Sequence, residues 1–139
     1  MRYDPSQESA RVSNSRRSLK RDRRITRSKM FEEVLERGRR AVGRLMVMVV
    51  CPSDDARSRV GVVAGKRTFR RAVDRSRVKR LLREAYRLHR HELAEGYNMV
   101  LVARRALAEA CRMDAEEELL HLARRLSISA GKETETFVQ

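Results

Sequence analysis

The chain has 139 residues and a formal net charge of +14 at pH 7, because 33 Lys and Arg oppose 19 Asp and Glu. A domain of this length can bury a core without staples, and the charge predicts a polyanionic partner, which we take to be nucleic acid rather than a membrane surface. No run of 18 apolar residues exists, so a transmembrane helix is excluded.

The two cysteines, Cys51 and Cys111, are 60 positions apart and form no CxxC or Cys/His cluster, which argues against a zinc site. The N-terminal residues lack the apolar segment of a secretory signal. We therefore expect a cytoplasmic protein with two unpaired thiols, although spacing alone leaves a disulfide open.

Both ends of the chain differ in composition from its middle. Residues 1–18 are polar and contain almost no large apolar side chains, which predicts a disordered basic arm. Residues 128–139 predict a disordered tail. The remaining residues, 19–127, are expected to form a single domain.

The first predicted helix spans residues 27–38. Ser28 is a favourable capping residue at its start, and Gly38 is a favourable residue at its end. Its apolar residues follow the i, i+1, i+4, i+5 spacing of one helix face: Met30, Phe31, Val34 and Leu35.

Three strands and a turn are predicted next. A short strand is expected at 39–43, a second at 45–50 and a third at 59–66, with a turn over 51–58. Because the connection between the last two is short, we predict that they pair as antiparallel neighbours.

The clearest helix is predicted over residues 74–93, with Asp74 as its N-cap and Gly96 ending the segment. Its apolar stripe has a period near 3.6 and consists of Val78, Leu81, Leu82, Ala85, Leu88 and His89.

A buried strand follows at 98–103, and the last helix is predicted to begin at Asp114. Asp114 and Glu117 resemble a capping box, and the acidic cluster 116–118 suits the positive end of that helix. Its buried stripe is Ala115, Leu119, Leu122 and Leu126. The order of elements predicts an α/β or α+β domain with helices on a small mixed sheet.

The segment 65–87 concentrates positive charge. Its cations recur at helical spacing opposite the apolar stripe, and only Glu84 interrupts the sign. An ordinary solvated helix face would carry mixed signs, so like charges without compensation predict contact with RNA or DNA. The sparse Asn and Gln side chains argue against reading base edges in a DNA groove.

The run 72–84 (AVDRSRVKRLLRE) resembles the Arg-Asn-Arg signature helix of the bacterial ribonuclease P protein family. The resemblance extends to Lys66-Arg67 after a strand, to Phe31 and the glycine at 38 in the first helix, and to the strand 100–104. It covers about residues 19–126. A ribosomal-type structural RNA-binding protein is the alternative that charge and size leave open.

Three positions depart from the family pattern. Ser76 stands where the signature has Asn. The serine hydroxyl can still form hydrogen bonds, but the second hydrogen-bonding group of the Asn amide is lost. Leu35 replaces a second aromatic residue, and Val49 replaces a tyrosine. These changes leave Phe31 as the main aromatic surface of the expected site.

The resemblance implies the protein subunit of a ribonucleoprotein endonuclease that removes the 5′ leader of precursor tRNA. The partners would be the ribonuclease P RNA and precursor tRNA, with Mg²⁺ bound mainly by the RNA. The residues expected to face the catalytic RNA are Arg71, Arg75, Ser76, Arg77, Lys79, Arg80 and Arg83.

The resemblance also implies a cleft for the single-stranded leader. Its expected residues are Phe31, Leu35, Val47, Val49, Val63, Lys66 and Arg67. Strand alternation independently directs Val47 and Val49 to one face. The three valines are equally well interpreted as core, and Lys66 and Arg67 as a solvated strand end.

The fold implied by the resemblance is an α+β two-layer sandwich. It has a four-stranded mixed sheet, about three helices and a left-handed β-α-β crossover, against the general preference for right-handed crossovers. His89 and His91 are expected to point to opposite sides of one helix, and His121 lies on a different helix, which argues against a shared metal or an acid–base pair. We expect the catalytic groups to reside in the RNA.

Overall fold

The computed structural model describes residues 24–25, 28–55 and 57–129. These residues form three α-helices and a four-stranded sheet. In chain order the elements are α1 (Ser28–Arg37), β1 (Arg39–Val42), β2 (Met46–Pro52), β3 (Arg59–Val63), α2 (Ala72–His89), β4 (Tyr97–Ala103) and α3 (Arg112–Arg125). Short 3₁₀ turns follow α2 at Arg90–Glu92 and β4 at Arg105–Glu109.

The strand order in the sheet is β1-β2-β4-β3. β1 pairs with β2, and β2 with β4, in antiparallel fashion, whereas β3 and β4 are parallel. The prediction that the second and third strands are neighbours is therefore wrong, because β4 lies between them and hydrogen-bonds to both. The α+β class, the mixed sheet and the three helices are confirmed.

The parallel strands β3 and β4 are joined through α2, which forms the β-α-β crossover expected from the resemblance. Its left-handedness stays a prediction.

One face of the sheet holds the main core beneath α2 and α3. Strand residues that point to it include Met46, Met48, Val50, Val60 and Leu101, and they contact the buried stripes of the two helices. All four members of the predicted α3 stripe are buried. In α2 the stripe holds at Val78, Leu82 and Ala85, and it also includes Tyr86, which the periodicity did not single out.

The opposite face of the sheet carries α1, whose Val34 is buried against Val49 and Val100. This short helix adds a partial third layer to the two that the resemblance predicts. The same face receives Ile25, whose amide N–H donates to the carbonyl oxygen of Val60 at 2.9 Å. The chain before α1 thus meets the edge strand β3.

The two later helices begin earlier than predicted. α2 has Arg71 at its N-cap, and Asp74 is its third residue rather than its cap. α3 has Cys111 at its N-cap, and Asp114 closes the capping box by accepting the Cys111 backbone N–H at 3.3 Å. In both helices the acidic side chain lies in the first turn, where the positive end of the helix dipole stabilises its negative charge.

The folded region extends beyond the predicted boundary at residue 127. Ile128 is buried, and its carbonyl oxygen accepts the Ala94 amide at 2.6 Å, while Ser129 bridges to Leu93. The predicted arm at 1–18 and the tail from 130 onward lie outside the described residues. Cys51 and Cys111 are free thiols, the first half-buried and the second exposed.

Candidate nucleic-acid interface

Four valines form a continuous row across the sheet on the α1 face. The strand register pairs Val42 of β1 with Val47 of β2, Val47 with Val102 of β4, and Val102 with Val63 of β3. Residues paired in this way point to the same face. Val47, Val63 and Val102 are half-buried and Val42 is 51% exposed, so the row is an open apolar strip.

The next row along the strands lies beneath α1. It runs through Arg40, Val49, Val100 and Gly61 in the same strand order. Phe31, near the start of α1, lies over Gly61, and Gly38, just after the helix, lies against Val49. The helix therefore crosses the sheet from β3 to β2 and leaves the valine row open beside it.

Two glycines make this close approach possible. A β-carbon on Gly38 would lie 2.5 Å from the Val34 carbonyl oxygen and 2.6 Å from Val49 Cγ1. A β-carbon on Gly61 would lie 2.6 Å from the ring of Phe31. Neither distance is compatible with a larger residue unless α1 moves. The ring of Phe31 and the side chain of Leu35 are both half-buried on this face.

The predicted cleft residues on the sheet and α1 differ in their exposure to solvent. Phe31, Leu35, Val47 and Val63 lie together on the α1 face, as expected. Val49 points to that face too but is 0% exposed, so it belongs to the core beneath α1 and not to an accessible surface. Of the two interpretations of Val49, core is the correct one.

Val42 and Val102 were missed as members of the row. The signal was present for Val102, since alternation along β4 places it on the same face as Val100. The mistaken pairing of β2 with β3 removed β4 from the expected floor. Val42 required the register of β1 on β2, which the sequence alone did not supply.

Cations stand close to the row in sequence. Lys66 and Arg67 follow β3 and are exposed. At the other side, the β1–β2 turn after Val42 includes exposed Arg44, and Arg104 after β4 donates from Nη1 to the Gly43 carbonyl oxygen at 2.8 Å. Carbonyl oxygens are uncharged, so Arg104 keeps its full positive charge for an outside anion.

The signature helix α2 presents only part of its positive charge to solvent. Ser76, Arg80 and Arg83 are exposed and succeed one another at spacings of four and three, which places them on one face. Arg71 at the N-cap is exposed and lies 3.4 Å from the carboxylate of Asp74. Lys79 is half-buried.

Three other arginines of α2 have partners within the protein. Arg75 donates to the carbonyl oxygens of Phe69 and Arg70 at 2.8 and 3.1 Å. Arg77 donates to those of Ala108 and Ala110 at 2.8 and 3.2 Å. Arg87 pairs with Glu84 at 2.6 Å, and its side chain is only 15% exposed. Arg77 remains exposed despite its hydrogen bonds, whereas Arg75 and Arg87 are half-buried, so contacts within the protein engage part of the basic face inferred from spacing.

Positive charges crowd beside this face. Partial burial, followed by repulsion from the nearby Arg24, lowers the pKa of Arg83 from its usual value. The guanidinium remains charged at neutral pH, because the ordinary pKa of arginine lies far above neutrality. A phosphate group at this position would relieve the repulsion between the two arginines.

Glu118 on α3 serves a tertiary contact rather than the helix start. The carboxylate of Glu118 accepts the backbone N–H groups of Arg44, Leu45 and Met46 at 3.2, 2.7 and 2.9 Å. It thus holds the β1–β2 turn. Within the described ranges, no three His, Cys, Asp or Glu side chains come together in a way that could hold a metal ion.

His89 and His91 both approach Glu92 Oε2, at 2.7 and 3.7 Å, so the prediction that they point to opposite sides of the helix is wrong. His91 and His121 are exposed. His89 links two elements through hydrogen bonds from Nδ1 to Glu92 at 2.7 Å and from Nε2 to Glu116 at 2.9 Å. It therefore joins the end of α2 to α3 instead of forming part of an apolar stripe.

A family model described as ribonuclease P matches residues 19–127 of the chain. The chain belongs to the ribonuclease P protein family. The match covers more than two thirds of the sequence and includes the valine row, the signature helix and α3. The chain is accordingly an RNA-binding protein component of an RNA-processing endoribonuclease, with the ribonuclease P RNA as its partner.

Relatives named as ribonuclease P protein components agree with this assignment. The component from Pelotomaculum thermopropionicum is 36% identical over 105 residues, which cover 76% of this chain and 93% of the relative. That of Alkaliphilus oremlandii is 30% identical over 105 residues and is covered to 91%. The chain therefore spans nearly the full length of these relatives.

Solved structures of ribonuclease P proteins share the fold. The Staphylococcus aureus protein superposes with a TM-score of 0.68 at 20% identity, covering 77% of this chain and 97% of that one. The Thermotoga maritima protein gives 0.66 at 24% identity, covering 73% and 96%. In the described part of the chain, no helix is long and apolar enough to cross a membrane.

Proposed function

We propose that this ribonuclease P protein binds the 5′ leader of precursor tRNA along the valine row and the catalytic RNA through the outward face of α2. In this way it assists endonucleolytic removal of the leader. The observation that carries the proposal is the row itself, an apolar strip across four strands that α1 leaves uncovered.

The chemistry of the row suits a single strand of any sequence. Bases can lie on the half-buried valines and the ring of Phe31, since every base has an apolar face. Phosphates would meet Lys66 and Arg67 near the β3 end and Arg44 near the β1 end, all of which are exposed. Four strands spaced by about 4.8 Å make a floor roughly 14 Å wide.

The outward face of α2 supplies the second contact. Arg80 and Arg83 are exposed, and the exposed hydroxyl of Ser76 lies beside them on the same face. Each cation that neutralises a phosphate releases counterions, so binding to the catalytic RNA would weaken steeply with salt.

In this proposal the protein contributes position and charge, and the RNA contributes the catalytic groups. Mg²⁺ ions, held mainly by the RNA, would activate the attacking water. The protein holds the leader in place and reduces repulsion between the phosphates of the two RNAs. Free thiols at Cys51 and Cys111 are consistent with the cytoplasm as the site of this reaction.

The test is cleavage of precursor tRNA at low Mg²⁺ by the catalytic RNA alone, the protein alone and the two together. Cleavage only in the mixture, with products ending at the mature 5′ end, would support the proposal. Cleavage by the protein alone would place catalytic groups in this chain, and an RNA whose rate the protein leaves unchanged would refute the proposed role.

A substrate series sharpens the same experiment. Precursor tRNAs with leaders of increasing length are compared with mature tRNA for binding to the complete enzyme. We expect affinity to rise with leader length until the row is filled and then to level off. Equal affinity for mature and precursor tRNA would count against leader binding on the valines.

A further inference from the structure

The side chain of Arg77 reaches from α2 to the connection between β4 and α3, although the residue remains exposed. Its Nη1 donates to the Ala108 carbonyl oxygen at 2.8 Å, and its Nη2 donates to that of Ala110 at 3.2 Å. These acceptors lie 31 and 33 residues further along the chain, in the connection between β4 and α3. One guanidinium thus ties α2 to the segment that leads into α3.

Arg75 makes the corresponding contact on the other flank of the helix. Its Nη1 donates to the Phe69 and Arg70 carbonyl oxygens in the loop that leads from β3. Successive helical residues are separated by about 100°, so Ser76 lies between the two flanks and points outward. The two arginines hold the helix from both sides, while Ser76 and Arg80 stay exposed.

The acceptors also distinguish this bracing from an ordinary ion pair. A carboxylate would neutralise the guanidinium, whereas a carbonyl oxygen fixes its geometry and leaves its charge intact. A planar fork that reaches two carbonyl oxygens is a property of arginine that lysine lacks.

We propose that Arg77 is a positioning residue for RNA binding, which acts by holding the outward face of α2 in register with the β4–α3 connection, rather than a residue that contacts phosphate. The RNA contacts on this part of the helix are then Ser76, Arg80 and Arg83. This inference rests on the proposed binding of the catalytic RNA by α2.

The experiment measures affinity for the ribonuclease P RNA as a function of salt concentration. The variants are Arg77→Gln and Arg77→Lys, with Arg80→Gln and Arg80→Lys as matched controls on the exposed face. All are compared at a temperature at which circular dichroism shows each variant to be folded. Hydrogen exchange of the backbone amides at 105–112 is followed in parallel.

For Arg77 we expect both substitutions to weaken binding between about twofold and 30-fold, without changing the dependence of log affinity on log salt. Exchange at 105–112 should accelerate in both. For Arg80, the Gln variant should lower the magnitude of the salt slope by about one unit and the Lys variant should retain it.

The opposite pattern would overturn the inference. A salt slope reduced by Arg77→Gln and restored by Arg77→Lys would make Arg77 a phosphate contact. Wild-type affinity in both folded variants would mean that Arg77 only stabilises the fold. Unchanged hydrogen exchange at 105–112 would show that Arg77 does not hold the β4–α3 connection.

Two further outcomes are kept distinct. If the Arg77 variants do not fold, Arg75→Gln and Arg75→Lys take their place, because Arg75 holds the other flank of α2 in the same manner. A loss of affinity at an unchanged salt slope would support a positioning role, and a slope reduced by Gln and restored by Lys would indicate a phosphate contact. A wild-type protein that fails to bind the ribonuclease P RNA would refute the proposed function as well, whereas the failures described above leave that function standing.

Discussion

The ring of Phe31 lies against the backbone of Gly61, with Cε1 and Cζ each 2.6 Å from the place where a β-carbon on Gly61 would stand. The missing side chain therefore allows α1 to rest directly on β3. Because α1 borders the valine row, this contact sets how much of the row stays open.

Gly61→Ala should displace Phe31 and lift the start of α1 from the sheet. Overpacking of this kind costs about 1–3 kcal/mol, and the accompanying shift should weaken binding of leader-bearing tRNA. Thermal unfolding and tRNA affinity measure the two effects. Gly65→Ala is the control, since its β-carbon would meet only Thr68 Oγ1 at 3.9 Å. Equal stability of the two variants would contradict the close contact.

Val102→Glu should abolish the apolar character of the row at its centre and repel the phosphates of the leader. We expect affinity for leader-bearing tRNA to fall by about tenfold or more, while affinity for mature tRNA is preserved. Met113→Glu is the control, because Met113 is 66% exposed on α3. A parallel loss for both tRNAs would show that Val102 does not act through the leader.

Ser76→Asn should strengthen binding to the catalytic RNA, because the exposed amide adds a second hydrogen-bonding group on the outward face of α2. One additional hydrogen bond predicts a gain of about threefold. Ser76→Ala should have the opposite effect. Filter binding at one salt concentration measures the affinity of each variant for the catalytic RNA. An Asn variant that binds less tightly than the wild type would disprove the expectation.

Glu118→Ala should destabilise the fold by about 2–4 kcal/mol, because three backbone N–H groups of the β1–β2 turn lose their acceptor. The loss is measured by urea unfolding. Glu117→Ala is a matched control one position earlier, on an exposed part of α3. Similar midpoints for both variants would mean that water replaces the carboxylate at no cost.

His89 should make stability depend on pH. Its burial disfavours the charged imidazole, but hydrogen bonds that the imidazole donates to the carboxylates of Glu116 and Glu92 outweigh this effect and raise the pKa of His89. Arg112 lies 2.9 Å from Glu116, and His91 lies 3.7 Å from Glu92, so each carboxylate has a second neighbour besides His89.

A raised pKa means that the folded state binds the proton more tightly than the unfolded state does. The stabilisation is fully present below the ordinary histidine pKa of about 6.5 and is lost as pH rises through the higher folded value. His89→Gln should therefore lower the free energy of unfolding most at acidic pH, by roughly 1–2 kcal/mol. The unfolding temperature, measured as a function of pH, reports this loss. A difference that grows with pH would reverse the sign of the argument.

Local patterns were sufficient for much of this protein. Alternation placed Val47 and Val49 on one face, and the 3.6-residue period identified the buried side of α2 at Val78, Leu82 and Ala85. These features depend on residues close together in sequence, whose geometry is set by the helix or strand itself.

Strand order depended on tertiary structure. The short connection between β2 and β3 favoured an antiparallel pair, yet β4 lies between them. Pairing of β4 with both strands buries Val100 and Leu101 on opposite faces of the sheet, a gain that no local window contains. Because β2 was predicted to pair with β3 and not with β4, Val102 on β4 was not predicted to belong to the valine row.

The sequence by itself determined that this chain is a basic RNA-binding domain with a signature helix, since charge and helical period are properties of composition and spacing. Only the tertiary structure decided which of its arginines hydrogen-bond to acceptors within the protein. Arg77 and Arg80 are both exposed arginines on one helix, but carbonyl oxygens 31 and 33 residues away accept hydrogen bonds from the guanidinium of Arg77.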